Sequence, residues 1–238
     1  MTNLPVGDAR DRALTDNTFP GGGHYDRRVT DWVTVSSLAT AGGTLVLAVA
    51  TFGAVRSANR SARVTERALL AGIRPVLVPS GPQDPPEKVG FVDDHWVKVP
   101  GGRAVAEVTE GAIYLALALR NVGSGLAVLD RWDLHGERLT GEVTRPAPEE
   151  YRRLTRDIYV PAGGLGFWQG ALRDSADPMF AEAREAIEAR RAMTLDLLYG
   201  DHEGGQRTVT RFALIPYGDS EWLAAAGRHW NLDRSDPR

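Results

Sequence analysis

The stretch "DWVTVSSLATAGGTLVLAVATFGAVRSANRSAR", Asp31–Arg63, decides how the rest of this chain is read. From Trp32 to Val55 it carries no charged residue, and arginines then follow at 56, 60 and 63. As a helix, the uncharged run spans about 36 Å, and the hydrocarbon core of a bilayer is about 30 Å thick. A buried helix of a soluble protein fits poorly, because the run is apolar or small on every face and leaves no polar stripe. A cleaved signal peptide is the other competing reading, with "AVA" at Ala48–Ala50 as a possible cleavage site. It fits poorly too: the lead-in is long and polar, and a signal core is only about 7–15 residues. A single transmembrane helix over 32–55 is therefore expected. Trp32 stands at one end, where an indole favours the headgroup layer. Ala39 and Gly43 have the small-xxx-small spacing that permits close helix approach and a homo-oligomer.

Arg56, Arg60, Arg63 and Arg67 are four, three and four residues apart. At 100° per residue they fall within about 60° of one another, so the helix is expected to continue over 56–72 with one basic stripe. Gly72 and Pro75 should end it. The stripe serves as a stop-transfer and orientation signal. It would also bind anionic lipid headgroups, at about 1 kcal/mol per basic residue near the surface. Arg27 and Arg28 precede the apolar run, and four arginines follow it. The basic-residue count puts the C-terminal side in the cytoplasm.

The remainder reads as soluble. Net charge is only −3, with 25% charged residues, which gives no electrostatic footprint for nucleic acid. Mean hydropathy is −0.27, too low for several membrane spans. The absence of cysteine excludes disulfides, zinc–thiolate sites and a thiol nucleophile. Residues 1–31 lack hydrophobic periodicity and read as a disordered tail. His24, among three glycines in that tail, is a lone histidine of the kind that usually binds nothing.

After Pro75 the pattern becomes short strands between Gly, Pro and Asp. Arg74–Pro79 opens it, and 81–88 reads as a loop. Strands are expected at Phe91–Val99, Arg103–Val108, Ala112–Gly123, Ala127–Gly136, Asp157–Gly163, Gly166–Leu172, Ala192–Asp201 and Arg207–Tyr217. In the third of these, Ile113, Leu115, Leu117 and Leu119 alternate with Tyr114 and alanines. Asp177–Ala192 reads as an inserted helix, with Asp177 as N-cap and Pro178 at its first position. A short C-terminal helix is expected through "SEWLAAAGRHW", within 219–238. The fold class is thus mainly β: a sandwich or barrel over 73–218 behind one transmembrane helix.

Two stretches, "LRNVGSGLAVLDRW" (Leu119–Trp132) and "LLYGDHEGGQRTVTRF" (Leu197–Phe212), together with the junction "LLAGIRPVL" (Leu69–Leu77), carry a resemblance. The chain resembles uncharacterised bacterial, chiefly actinobacterial, single-pass membrane proteins over roughly residues 32–216. Its preference for Arg over Lys suits a GC-rich genome. The resemblance implies a transmembrane helix, a charged helix and an immunoglobulin-like β-sandwich. It implies no activity and no catalytic residues. Physically, Asn121, Gly123 and Gly125 should supply left-handed or extended backbone at a strand end. Gly200, Gly204 and Gly205 should form a hairpin connection.

Catalytic signatures are missing from the sequence: there is no HExxH, GxSxG or phosphate-binding glycine loop. Ser124 lacks evident His and Asp partners. Asp93 and His95 with Asp201 and His202 would make a metal-dependent hydrolase site only if the fold joined them. Trp96, Trp132, Phe167 and Trp168 are core residues by default, or the lining of a pocket. The expectation is a non-enzymatic, membrane-anchored binding or interaction module. It would need no cofactor or metal, and its partners would be the membrane and another protein or copy. The alternative is an extracytoplasmic ligand sensor.

Overall fold

The structure, a computed structural model, describes residues 26–139 and 146–233. The chain separates into two units, with the boundary between Ser61 and Ala62. Helix α1 (Asp26–Gly72) is continuous through that boundary, as the uninterrupted pattern before Gly72 predicts. It starts at Asp26, so 26–31 are helix and not tail; the rest of the expected tail, with His24, lies outside the described residues. The polar groups of the apolar run are satisfied within the helix. Hydroxyls of Ser36, Thr40, Thr44 and Thr51 donate to carbonyls one turn back, at 2.9, 2.8, 2.6 and 2.7 Å. Its large side chains are uncovered, with Leu47 71% and Phe52 69% exposed.

The second unit is mainly β. Its strands are β1 (Leu77–Pro79), β2 (Glu87–Gly90), β3 (Trp96–Val99), β4 (Arg103–Val108), β5 (Ile113–Asn121), β6 (Ala127–His135), β7 (Arg152–Val160), β8 (Leu165–Leu172), β9 (Met193–Gly200), β10 (Thr208–Tyr217) and β11 (Glu221–Asn231). Nine of them form one curled antiparallel sheet, ordered β1-β5-β4-β11-β10-β9-β6-β7, with β8 on the other edge of β5. β2 and β3 pair separately, with Lys88 opposite Lys98. The curl puts Ile113, Leu115, Leu117 and Leu119 in the main core beside Trp132, Trp168, Tyr199, Phe212 and Trp222. Tyr114, Ala116 and Ala118 face a smaller core of Val89, Phe91, Val97 and Val99 under the β2–β3 hairpin. Both faces of β5 are therefore buried, as its unbroken apolar run predicts.

Helix α2 (Pro178–Glu188) has the expected start: the Asp177 carboxylate accepts from Met179 N at 3.0 Å, and Pro178 occupies the first turn. Phe180, Ala183, Ala186 and Ile187 bury one face in the main core. The helix stops at Arg190, which takes φ 52°, and the Arg191 amide reaches back to Ala186 O at 2.8 Å. The Arg190 guanidinium then donates to the carbonyls of Tyr217, Gly218 and Glu221 at 3.2, 2.9 and 3.0 Å.

Three sequence expectations are corrected. "SEWLAAAGRHW" is not a helix but strand β11. It pairs with β10 from Glu221 to Asn231 around a bulge, and its ends Trp222 and Trp230 are 1% and 2% exposed. Burying two indoles outweighs the weak helical preference of three alanines. The strand expected at 91–99 breaks at Val92–His95, where Asp94 takes φ 61° and the chain reverses. Part of the expected 81–88 loop is then recruited as the partner strand β2. The strand expected at 157–163 runs earlier, over 152–160, and turns at Pro161–Gly164.

Candidate functional site

The three segments that carry the resemblance meet at one place, where α1 passes into β1. The helix ends at Gly72, and Pro75 offers no amide to extend it. The exposed last carbonyls of a helix need donors. One comes from the Gln206 side chain, whose Nε2 donates to Leu70 O. Gln206 is 4% exposed, and its Oε1 accepts from Arg74 Nε at 3.0 Å. Its Nε2 also reaches Asp201 Oδ2 at 3.2 Å. Asp201 organises the loop that delivers Gln206: its other carboxylate oxygen accepts from Gly205 N at 2.9 Å, and its carbonyl from Gly204 N at 3.1 Å. Gly204 has φ +72°, a left-handed backbone in the expected hairpin connection, and Gly200 closes β9.

Asn121 holds the other side of the junction. It is fully buried; its Oδ1 accepts from Val76 N and Gly123 N at 3.1 and 3.0 Å. Its Nδ2 donates to Gly125 O and Val160 O at 2.7 and 3.1 Å. One side chain thereby ties the linker to β5, its following turn and β7. Gly123 and Gly125 also meet a steric requirement that depends on the linker. Neither has positive φ; each lets the linker backbone pass. A Cβ on Gly123 would lie 2.3 Å from Arg74 O, and one on Gly125 only 1.7 Å from Ile73 O. Ser124 is a backbone contact, its amide donating to Arg74 O at 3.1 Å. Beneath the joint, buried Tyr199 accepts from Leu77 N at 3.1 Å and bonds Thr210 Oγ1 at 2.9 Å. Burial pushes its phenol above the ordinary value.

Arg56, Arg60, Arg63 and Arg67 are all exposed on α1, and none forms an ion pair among the described residues. The acidic and histidine candidates stay in separate local networks. Asp93 accepts from Arg173 Nε at 3.1 Å and from Tyr114 Oη at 2.6 Å. These bonds, the arginine's first, lower its carboxyl to about 2. His95 stacks on Tyr114 at 3.9 Å and meets Glu107 at 3.0 Å. Asp201 belongs to the joint, and His202 lies 3.3 Å from Glu203. Among the described residues, no group of three or more His, Cys, Asp or Glu is placed to hold a metal ion.

Of the aromatic candidates, Trp168 is wholly buried and meets Trp132 edge-on at 5.3 Å. Trp132 also lines a cleft, while Trp96 is 58% exposed beneath Lys88. Sequence reading missed Gln206, and it missed a buried ion pair across β9 and β10. There Arg211 grips Asp196 through Nε and Nη2 at 2.7 and 2.6 Å, and Tyr151 donates to the same carboxylate at 3.0 Å. Burial and the Asp196 charge push the Tyr151 phenol far up. Comparison with protein-family models, curated proteins and solved structures gives no match.

Proposed function

We propose that this chain is a single-pass bacterial membrane protein whose β domain is a binding or interaction module at the cytoplasmic face. The observation that carries the reading is the state of the Trp32–Val55 run. It is long enough to span a bilayer, it is uncovered throughout, and its hydroxyls are satisfied inside the helix. The joint supports a module function. The end of α1 is held by buried side chains of the sheet and its loops, so a load on the domain reaches the helix through several hydrogen bonds. Four arginines after the span against two before it favour a cytoplasmic C-terminal domain and contact with anionic headgroups. The partner is then a protein or a second copy on that side. The relation to actinobacterial single-pass proteins with an immunoglobulin-like β-sandwich is part of the same proposal. Its support is that the three quoted motifs converge on one joint.

The test is alkaline carbonate extraction combined with a compartment-specific reporter fused after Arg238. Retention in the membrane with a reporter active in the cytoplasm is expected. Release into the soluble fraction would overturn the anchor. A reporter active outside would overturn the orientation and leave the extracytoplasmic ligand sensor.

A further inference from the structure

Strands β7 and β8 follow one another in sequence and lie side by side, yet they share no ladder: β7 pairs with β6, and β8 with β5. The β6–β7 register explains the gap. Leu129 is opposite Ile158 and Arg131 is opposite Arg153, so Leu154–Asp157 swing out against the single residue Asp130. A cleft of about 170 Å³ opens along this seam. Phe91, Val92, Trp132, Leu154, Gly170 and Ala171 form its apolar part. A side chain at 170 would run into Trp168 at 2.8 Å and Trp132 at 3.1 Å, so only glycine keeps the cleft this shape.

Its polar wall is Arg152, Arg153, Thr155, Gln169 and Arg173, and no carboxylate lines it. Gln169 is 6% exposed, its amide oxygen fixed by Arg156 Nη2 at 2.8 Å. Arg152 is held by Asp177, and Arg173 by Asp93 at 3.1 Å. Arg153 has no ion pair among the described residues, and Arg156, which is not part of the lining, bonds Gln169 and lies 5.4 Å over the Phe167 ring. Three guanidinium groups thus line the cleft, and two of them are paired with carboxylates. The Arg152 Nε is buried with no hydrogen-bond partner, a donor whose burial is costly unless something accepts from it.

We propose that this seam binds the phosphate of a phosphomonoester, with the organic part of the ligand against Trp132. A phosphomonoester carries about −1.5 to −2 charge at pH 7, which the Arg153 guanidinium and the unpartnered Arg152 Nε would meet, and guanidinium forks suit phosphate oxygens. The same headgroup chemistry occurs in a soluble phosphorylated metabolite and in phosphatidic acid. The inference deepens the binding-module reading and rests on it. Its test reads ligand binding and not membrane insertion, so either can fail without the other.

The full chain is placed in phosphatidylcholine nanodiscs and titrated calorimetrically with phenyl phosphate at fixed ionic strength. A parallel sample uses nanodiscs containing phosphatidic acid, with quenching by lipids brominated near the headgroup as readout. Saturable binding of phenyl phosphate is expected, weakened at least tenfold by Arg153→Gln and by Arg173→Gln. Arg184→Gln, on the exposed face of α2, should leave it unchanged. If phenyl phosphate fails but quenching requires phosphatidic acid and Arg153, the ligand is the lipid headgroup. No saturable response to either probe, or equal losses for Arg153→Gln and Arg184→Gln, would overturn the proposal. Circular dichroism of each variant separates lost binding from lost folding.

Discussion

At position 125 a single methyl group decides whether the linker can pass. The Gly125→Ala Cβ would stand 1.7 Å from a backbone carbonyl, which cannot rotate away as a side chain can. The expected cost is about 3 kcal/mol, at the upper end for overpacking. Gly205, in the loop across the joint, has nothing within 4 Å of its virtual Cβ, so Gly205→Ala should change stability by less than about 0.5 kcal/mol. Chemical denaturation of the two variants in detergent tests the contrast; equal effects would refute the steric account. Asp93 illustrates charge at the same scale. Arg173 first, and Tyr114 second, lower its folded pKa to about 2 from an ordinary 3.8. A depressed carboxylate stabilises the fold above its unfolded pKa, and that contribution is lost as pH falls through the folded value. Asp93→Asn should therefore melt earlier than the wild type at pH 7, and the difference should narrow between pH 4 and 2. A difference independent of pH over that window would show that packing, and not charge, is what Asp93 supplies.

Elements follow their sequences to different degrees. The long helix was legible because 24 uncharged positions leave no other economical solution, and β5 because apolar residues occupy both of its faces. β11 was not legible. Its local composition favours a helix, and only the distant ladder of β10 makes Trp222 and Trp230 core residues. β2 escapes for a related reason: 91–99 reads as one long strand, and the reversal depends on Asp94 accepting left-handed backbone. At the joint, Asn121 and the glycines stood out, but their purpose depends on a linker some fifty residues away. Gln206 gave no signal at all, since a polar residue after a turn is ordinary. Its importance to α1 is testable. Gln206→Glu keeps the size and removes the amide donor facing Leu70 O. Amide exchange in the last turn of α1 should accelerate in that variant, while exchange in β9 and β10 stays near wild type. Unchanged protection in the helix would mean that the carbonyl cap contributes little.

For the whole molecule, the distribution of amines has a consequence for proteolysis. The sequence has two lysines, Lys88 and Lys98, and they face each other across the β2–β3 hairpin. A lysine-specific protease is thereby confined to one small piece of surface. Cutting after both would divide the chain into three pieces: 1–88 with α1 and β1, the short hairpin peptide 89–98, and 99–238 with the rest of the sheet. The first fragment remains clasped through the β1–β5 ladder, the Asn121 bonds to Val76 and the Gln206 bonds to Leu70 and Arg74. The expected product co-migrates as one particle in size-exclusion chromatography and separates only in denaturant. Spontaneous separation would mean that the joint is weaker than its hydrogen bonds suggest. A nicked protein that still holds together would keep α1 on the sheet by hydrogen bonds alone, with the two no longer covalently one chain.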